Sequence, residues 1–203
     1  MILPRLMVIT DRNLMEPDFE SALQAAIRGG ARLIQWREKD LPSEGVLPLA
    51  RAAREICERN GAKLLVNFDF ELAQKIYACG VHLPESQSVE NARLQLQREY
   101  LVGQSVHSIE AAKTAENAGA DYLVFGSVFQ TDSHKGSTPS GLESLRKVAS
   151  EVSIPVFAIG GISVSNARSC LDAGAHGVAM IRAIWSAPNV EFATRELLER
   201  IKS

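Results

Sequence analysis

One feature restricts the possible folds more than any other. Short apolar runs alternate strictly with longer amphipathic stretches, and the pair repeats eight times along the chain. Strands separated by helices cannot form hairpins. They pair in parallel through right-handed crossovers. Two architectures have this alternation: a closed (β/α)₈ TIM barrel and a doubly wound open sheet. The barrel is the better reading. Gly30-Ala31, Gly119-Ala120 and Gly174-Ala175 each close a helix just before a strand. No Gly-x-Gly-x-x-Gly follows the first strand, so the dinucleotide fingerprint of the open sheet is absent. The expected class is therefore α/β, with residues 1–203 forming a single barrel domain.

The strands are expected at residues 6–10, 33–36, 63–67, 80–83, 100–104, 121–125, 154–159 and 176–181. Asp18 can cap the first helix, which Gly29-Gly30 ends, and Ser43 can cap the second. Helices are expected near 70–78 and 88–97, and another from Ser108 to Gly119. Ser163 or Ser165 starts a helix that stops at Gly174, and Pro188-Asn189 opens the last.

Composition removes several classes of function. Twenty-two basic residues against 24 acidic ones, with no basic stripe, argue against nucleic-acid binding. No apolar run is long enough to span a bilayer, and no signal peptide is evident at Met1. Cys57, Cys79 and Cys170 are odd in number and lack Cys-x-x-Cys spacing, which suits buried thiols in a reducing cytoplasm. A soluble cytoplasmic protein with a small-molecule partner is expected, and a homo-oligomer is allowed.

In such barrels the chemistry sits on the loops after the strands. The loop after strand six is rich in functional groups: Ser127, Thr131, Asp132, Ser133, His134 and Lys135, then Gly136. A plain solvated loop is the alternative. Ala158-Ile159-Gly160-Gly161-Ile162 after strand seven and Met180-Ile181-Arg182 after strand eight suit a phosphate. Glycines let backbone N–H groups approach the anion, and Arg182 adds charge. A tight turn needing positive φ would also explain the glycines. Arg37 and Lys39, two apart after strand two, suit an anionic ligand. Asn67 ends strand three as donor and acceptor, or as a structural amide. Ser105 or His107 ends strand five, the first as a ligand contact, the second as an acid–base group, a packing group or a helix cap. His82 and His176 fall inside strands and read as structural. No carboxylate pair forms an evident metal site, and no Gly-x-Ser-x-Gly elbow suggests a hydrolase.

With these residues assembled, the chain resembles the thiamine phosphate synthase family over nearly its whole length. The resemblance rests on Val8-Ile9-Thr10-Asp11, Gln35-Trp36-Arg37-Glu38-Lys39-Asp40, Gly80-Val81-His82-Leu83, Gly103-Gln104-Ser105-Val106-His107-Ser108, Ala118-Gly119-Ala120-Asp121-Tyr122, Phe125-Gly126-Ser127-Val128-Phe129 and Pro155-Val156-Phe157-Ala158-Ile159-Gly160-Gly161-Ile162. It implies a (β/α)₈ barrel that binds thiazole phosphate and, in the synthases, a pyrimidine pyrophosphate with Mg²⁺.

The chain departs from the synthase pattern at two metal positions. It has Asn67-Phe68 where Asn-Asp is usual, and Gln87 near the place of a second Asp. Phenylalanine cannot ligate Mg²⁺. These departures resemble the TenI branch, the thiazole tautomerases, whose proton shift needs no metal. The expected function is therefore metal-independent aromatisation of a thiazole phosphate carboxylate, with no cofactor. That branch typically carries a His where this chain has Ser127, so His134 and His107 become the candidates for proton transfer. Arg37 and Lys39 would face the carboxylate. Ser105, Thr131 and Asn67 would orient the ring, Lys135 would add charge, and Gly160, Gly161, Ile181 and Arg182 would hold the phosphate. One alternative is thiamine phosphate synthase, the only reading with Mg²⁺. Another is a non-catalytic barrel that binds thiazole or thiamine phosphate.

Overall fold

The computed structural model describes residues 3–41, 43–131 and 138–202. Eight parallel strands close into a barrel in sequence order: β1 (Leu6–Ile9), β2 (Leu33–Trp36), β3 (Lys63–Asn67), β4 (Gly80–Leu83), β5 (Leu101–Val106), β6 (Tyr122–Gly126), β7 (Val156–Ile159) and β8 (Gly177–Met180). Closure is made by β1 against β8, with Leu6 opposite Val178 and Val8 opposite Met180. The ring has no free edge, which excludes the open sheet.

The helices are α1 (Phe19–Arg28), α2 (Ser43–Arg59), α3 (Phe70–Lys75), α4 (Val89–Gln95), α5 (Ile109–Asn117), α6 (Gly141–Glu151), α7 (Ala167–Asp172), a four-residue α8 (Arg182–Trp185) and α9 (Val190–Ile201). Side-chain caps fix many of their starts. Asp18 accepts from Ser21 N–H at 2.9 Å, Ser108 from Ala111 N–H at 3.0 Å and Asn189 from Phe192 N–H at 2.9 Å. Among the Gly-Ala helix ends, Gly30, Gly119 and Gly174 have φ of 109°, 93° and 95°, which L-residues rarely adopt. Helix α7 starts later than expected. Neither Ser163 nor Ser165 caps it, because Ser163 N–H donates to Asn166 Oδ1 and the chain turns there first.

Strand alternation divides the core in two. Met7, Ile9, Leu33, Leu65, Tyr122, Val124 and Phe157 belong to a cluster filling the barrel interior. Leu6, Val8, Ile34, Leu64, Val66, Val102, Leu123 and Phe125 point outward into a larger cluster beneath the helices. The same alternation continued to the strand ends puts Gln35, Asn67, His82 and Ser105 above the interior plug. Apolar layers thus close the barrel below, and polar residues floor its mouth.

Cys57 and Cys170 are buried, and burial pushes their thiols up to about 12 and about 11. Cys79 is only half-buried, which departs from the expected set of three buried thiols. No helix among the described residues is long and apolar enough to cross a membrane.

Candidate active site at the barrel mouth

Three hollows adjoin at the C-terminal end of the barrel, and Arg37 lines all of them. The central chamber, about 440 Å³, sits directly over the plug and is lined by Gln35, Asn67, His82, Ser105, Ser127 and Gly160 among others. A second, of about 410 Å³, lies over the ends of β7 and β8 against Gly160, Gly161, Ile181 and Arg182. A third, about 400 Å³, opens over β2–β5 between Lys39, Phe68, Glu85 and His107.

The β7–β8 side is built from backbone. Gly160 and Gly161 have φ of 97° and 63°. A Cβ on Gly160 would lie 2.5 Å from Ser127 Cβ, and one on Gly161 would lie 2.3 Å from the Gln130 carbonyl oxygen. The glycines therefore serve both a left-handed turn and a close approach to the β6 loop. Asn166 Nδ2 holds the turn by donating to the Gly161 carbonyl at 3.0 Å. Across the hollow Ile181 leads into α8, which begins at the exposed Arg182. Trp185 anchors that short helix by donating Nε1–H to the Ile9 carbonyl at 2.7 Å. Glycine backbone, a helix start and a guanidinium side by side suit a phosphate.

The opposite side is built from side chains. Gln35 Nε2 donates to Asn67 Oδ1 at 3.1 Å. Gln35 Oε1 is buried and has no hydrogen-bond partner among the described residues. Next along the belt, His82 Nε2 lies 2.9 Å from Ser105 Oγ, and its Nδ1 lies 3.2 Å from the Tyr122 hydroxyl. Burial, and secondarily the nearby Arg37 cation, lower the His82 pKa to about 3, so the imidazole is neutral. Burial likewise keeps the Tyr122 phenol protonated. The backbone N–H of Arg37 donates to the buried Thr10 hydroxyl oxygen at 2.9 Å, which fixes the chain just past the end of β2. Glu38 does not pair with Arg37 through a salt bridge. Its Oε2 accepts the Arg12 N–H at 3.0 Å, tying the β1 and β2 loops together, and burial raises its pKa.

The mouth gathers most of the candidates read from sequence. Arg37, Asn67, Ser105, His107, Ser127, Thr131, Gly160 and Ile181 line the central chamber. Gly161 and Arg182 line the β7–β8 hollow, and Lys39 the third. His134 and Lys135 lie outside the described residues. His107 does not cap α5, since Ser108 does. His107 Nδ1 instead sits 2.6 Å from Glu85 Oε2 at the exposed rim. Two further residues line the central chamber. Gln35 lies two residues before Arg37, and that spacing could place it on the mouth-facing side. His82 is buried, as expected of a structural histidine, and the strand register also brings it beside Ser105 at the chamber floor.

The Mg²⁺ implied by the resemblance does not fit the described residues. Phe68 stands at φ 54° with its ring against Phe70. Asp69 is engaged as the α3 cap, accepting from Leu72 N–H at 2.8 Å, and Glu85 is engaged by His107. Gln104, which points outward from β5, donates to the Gln87 carbonyl at 2.5 Å. Among the described residues no three His, Cys, Asp or Glu side chains gather into a metal-holding group.

Comparison with known proteins identifies the family. The thiamine monophosphate synthase family profile matches residues 6–184. The thiamine-phosphate synthase of Pyrococcus furiosus is 41% identical over 194 residues, covering 95% of this chain and 92% of that protein. That of Roseiflexus is 40% identical over 193 residues, covering 94% and 82%. A solved thiamine phosphate pyrophosphorylase from Pyrococcus furiosus superposes with a TM-score of 0.88 at 38% identity, covering 97% of this chain and 94% of that one. A 3-hexulose-6-phosphate synthase, at 17% identity and a TM-score of 0.75, shares the fold alone. By profile, sequence and structure, this chain belongs to the thiamine monophosphate synthase family.

Proposed function

We propose that the chain is an enzyme of thiamine biosynthesis that joins hydroxymethylpyrimidine pyrophosphate to thiazole phosphate, giving thiamine phosphate and pyrophosphate. The observation that carries this reading is the orphaned acceptor at Gln35. Its Oε1 is buried beside the chamber without a partner among the described residues, while its Nε2 is committed to Asn67. A buried acceptor left unpaired costs roughly 1–3 kcal/mol, and an entering N–H donor recovers it. The exocyclic amine of an aminopyrimidine is such a donor. A thiazole phosphate carboxylate carries none. Relatives named thiamine-phosphate synthase, 41% identical with 92% of their length covered and 40% identical with 82% covered, support the same choice.

In this reading the pyrimidine lies over Gln35 and Asn67. Its pyrophosphate meets Arg37 and Lys39, the cations that share the third hollow. The thiazole phosphate sits on Gly160, Gly161 and Arg182, beside the central chamber. The ring nitrogen of the thiazole forms a bond to the pyrimidine methylene carbon as the bond from that carbon to the pyrophosphate oxygen breaks. No proton transfer is required in that displacement. The protein's part is to align the two rings and to stabilise the departing charge with Arg37 and Lys39.

The thiazole tautomerase reading rests on a separate observation: Phe68, Gln87 and the engaged Asp69 and Glu85 leave the described residues without a Mg²⁺ cage. One experiment separates the two. Purified protein is given hydroxymethylpyrimidine pyrophosphate with thiazole phosphate, and separately the non-aromatic thiazole phosphate carboxylate, each with and without Mg²⁺. Thiamine phosphate formation supports the synthase. Aromatisation without any thiamine phosphate overturns it in favour of the tautomerase.

A further inference from the structure

We propose that His82 is a positioning residue that fixes the Ser105 hydroxyl as a hydrogen-bond donor into the central chamber. Three side chains, Tyr122, His82 and Ser105, are linked by hydrogen bonds in a line. His82 is 4% exposed and Tyr122 is fully buried, so both are held in their neutral forms. A neutral imidazole has one N–H and one bare nitrogen, and two proton arrangements fit the distances. In the first, Tyr122 O–H donates to Nδ1, Nε2–H donates to Ser105 Oγ, and the serine proton is turned toward the chamber. In the second, Ser105 O–H donates to Nε2 and Nδ1–H donates to the tyrosine oxygen. The second arrangement leaves the Tyr122 proton without an acceptor, because His82 is its hydrogen-bond partner among the described residues. A buried O–H with no acceptor is expensive, so the first arrangement prevails.

The backbone is shaped for this relay. Gly103 on β5 lies opposite both His82 and Tyr122 in the strand register. A Cβ there would fall 1.9 Å from the Tyr122 ring. Glycine at this position lets the phenol lie across β5 and reach the imidazole, and the two rings stack with centroids 5.7 Å apart. Ser105, two residues further along β5, lines the chamber at the other end of the relay. The consequence is a polarity. Ser105 presents a proton to the ligand, so it takes an acceptor atom such as a ring nitrogen or a phosphate oxygen, and it disfavours an N–H edge.

The test begins with the unliganded full chain labelled with ¹⁵N-histidine, using His82→Gln to assign the His82 signals. The expected result is a proton on Nε2 and a bare Nδ1. A proton on Nδ1 in the wild-type chain overturns the proposal. The second arm is kinetic and rests on the proposed reaction. Tyr122→Phe is expected to lower kcat/KM roughly tenfold, and Ser105→Ala added to it is expected to cost little more, because both act through one hydroxyl. Losses that simply multiply overturn the relay, as does a Tyr122→Phe variant with unchanged kinetics. Failure of the reaction itself leaves the tautomer measurement decisive, so the two failures are distinguishable.

Discussion

The two sides of the barrel mouth are made differently. Over β7 and β8 the surface is glycine backbone and a helix start, with Arg182 at its edge. Over β2–β5 it is a belt of inward side chains, Gln35, Asn67, His82 and Ser105, each tied to a neighbour. A backbone surface offers N–H groups that no change of pH removes, and it suits an anion shared by many ligands. A side-chain belt can set donor and acceptor atom by atom, and it suits discrimination between rings. Arg37 belongs to both, since it lines all three hollows described at the mouth.

This contrast can be broken or sharpened by experiment. The largest effect should come from acid. His82 has a folded pKa of about 3 against 6.5 for a free imidazole. The unfolded chain therefore binds its proton first, and stability is lost as pH falls from 6.5 toward 3, by on the order of 4–5 kcal/mol over the whole window. Denaturant unfolding across that range should show the loss, and His82→Gln should flatten it. An unaltered acid limb in the variant would mean the belt is not what titrates. Next, Arg37→Ala should lower kcat/KM on the order of 100-fold, because it removes charge-assisted contacts from both sides. A loss confined to the KM of one substrate would assign Arg37 to one side only. Gly160→Ala should destabilise by about 1–3 kcal/mol, since it crowds Ser127 and strains a positive φ. It should also weaken thiazole phosphate more than the pyrimidine, which equilibrium binding can read. Smallest is Glu85→Gln at the exposed rim. Breaking its pair with His107 should change stability by less than about 1 kcal/mol. A larger change would move the functional boundary outward to the third hollow.

The backbone side was the more legible in sequence. Gly160-Gly161 is a local signal, and its position after the seventh of eight regular repeats says where it lies. The strands were readable for the same reason, with errors at their ends. Strand β5 runs to Val106 rather than stopping at Gln104, which carries Ser105 into the inward-facing row. The belt was harder to read because its meaning is not local. A histidine inside an apolar strand reads as packing, which it is, but only the register shows that it also meets Ser105 and Tyr122. His107 was legible as a polar residue at the mouth, but its contact with Glu85 was not. The tautomerase expectation followed from two missing carboxylates. The orphaned Gln35 acceptor, invisible without side-chain geometry, favours joining a second ring instead.

Gly103 and Tyr122 carry one further consequence, for inheritance. The ring occupies the volume that any side chain at 103 would claim, at 1.9 Å from its Cβ. Neither position can change alone: a larger residue at 103 evicts the phenol, and a smaller one at 122 opens a void and strands the His82 ring nitrogen. In diverging descendants the pair should therefore be kept or lost together, and lineages that lose it should show a different residue at 82 as well.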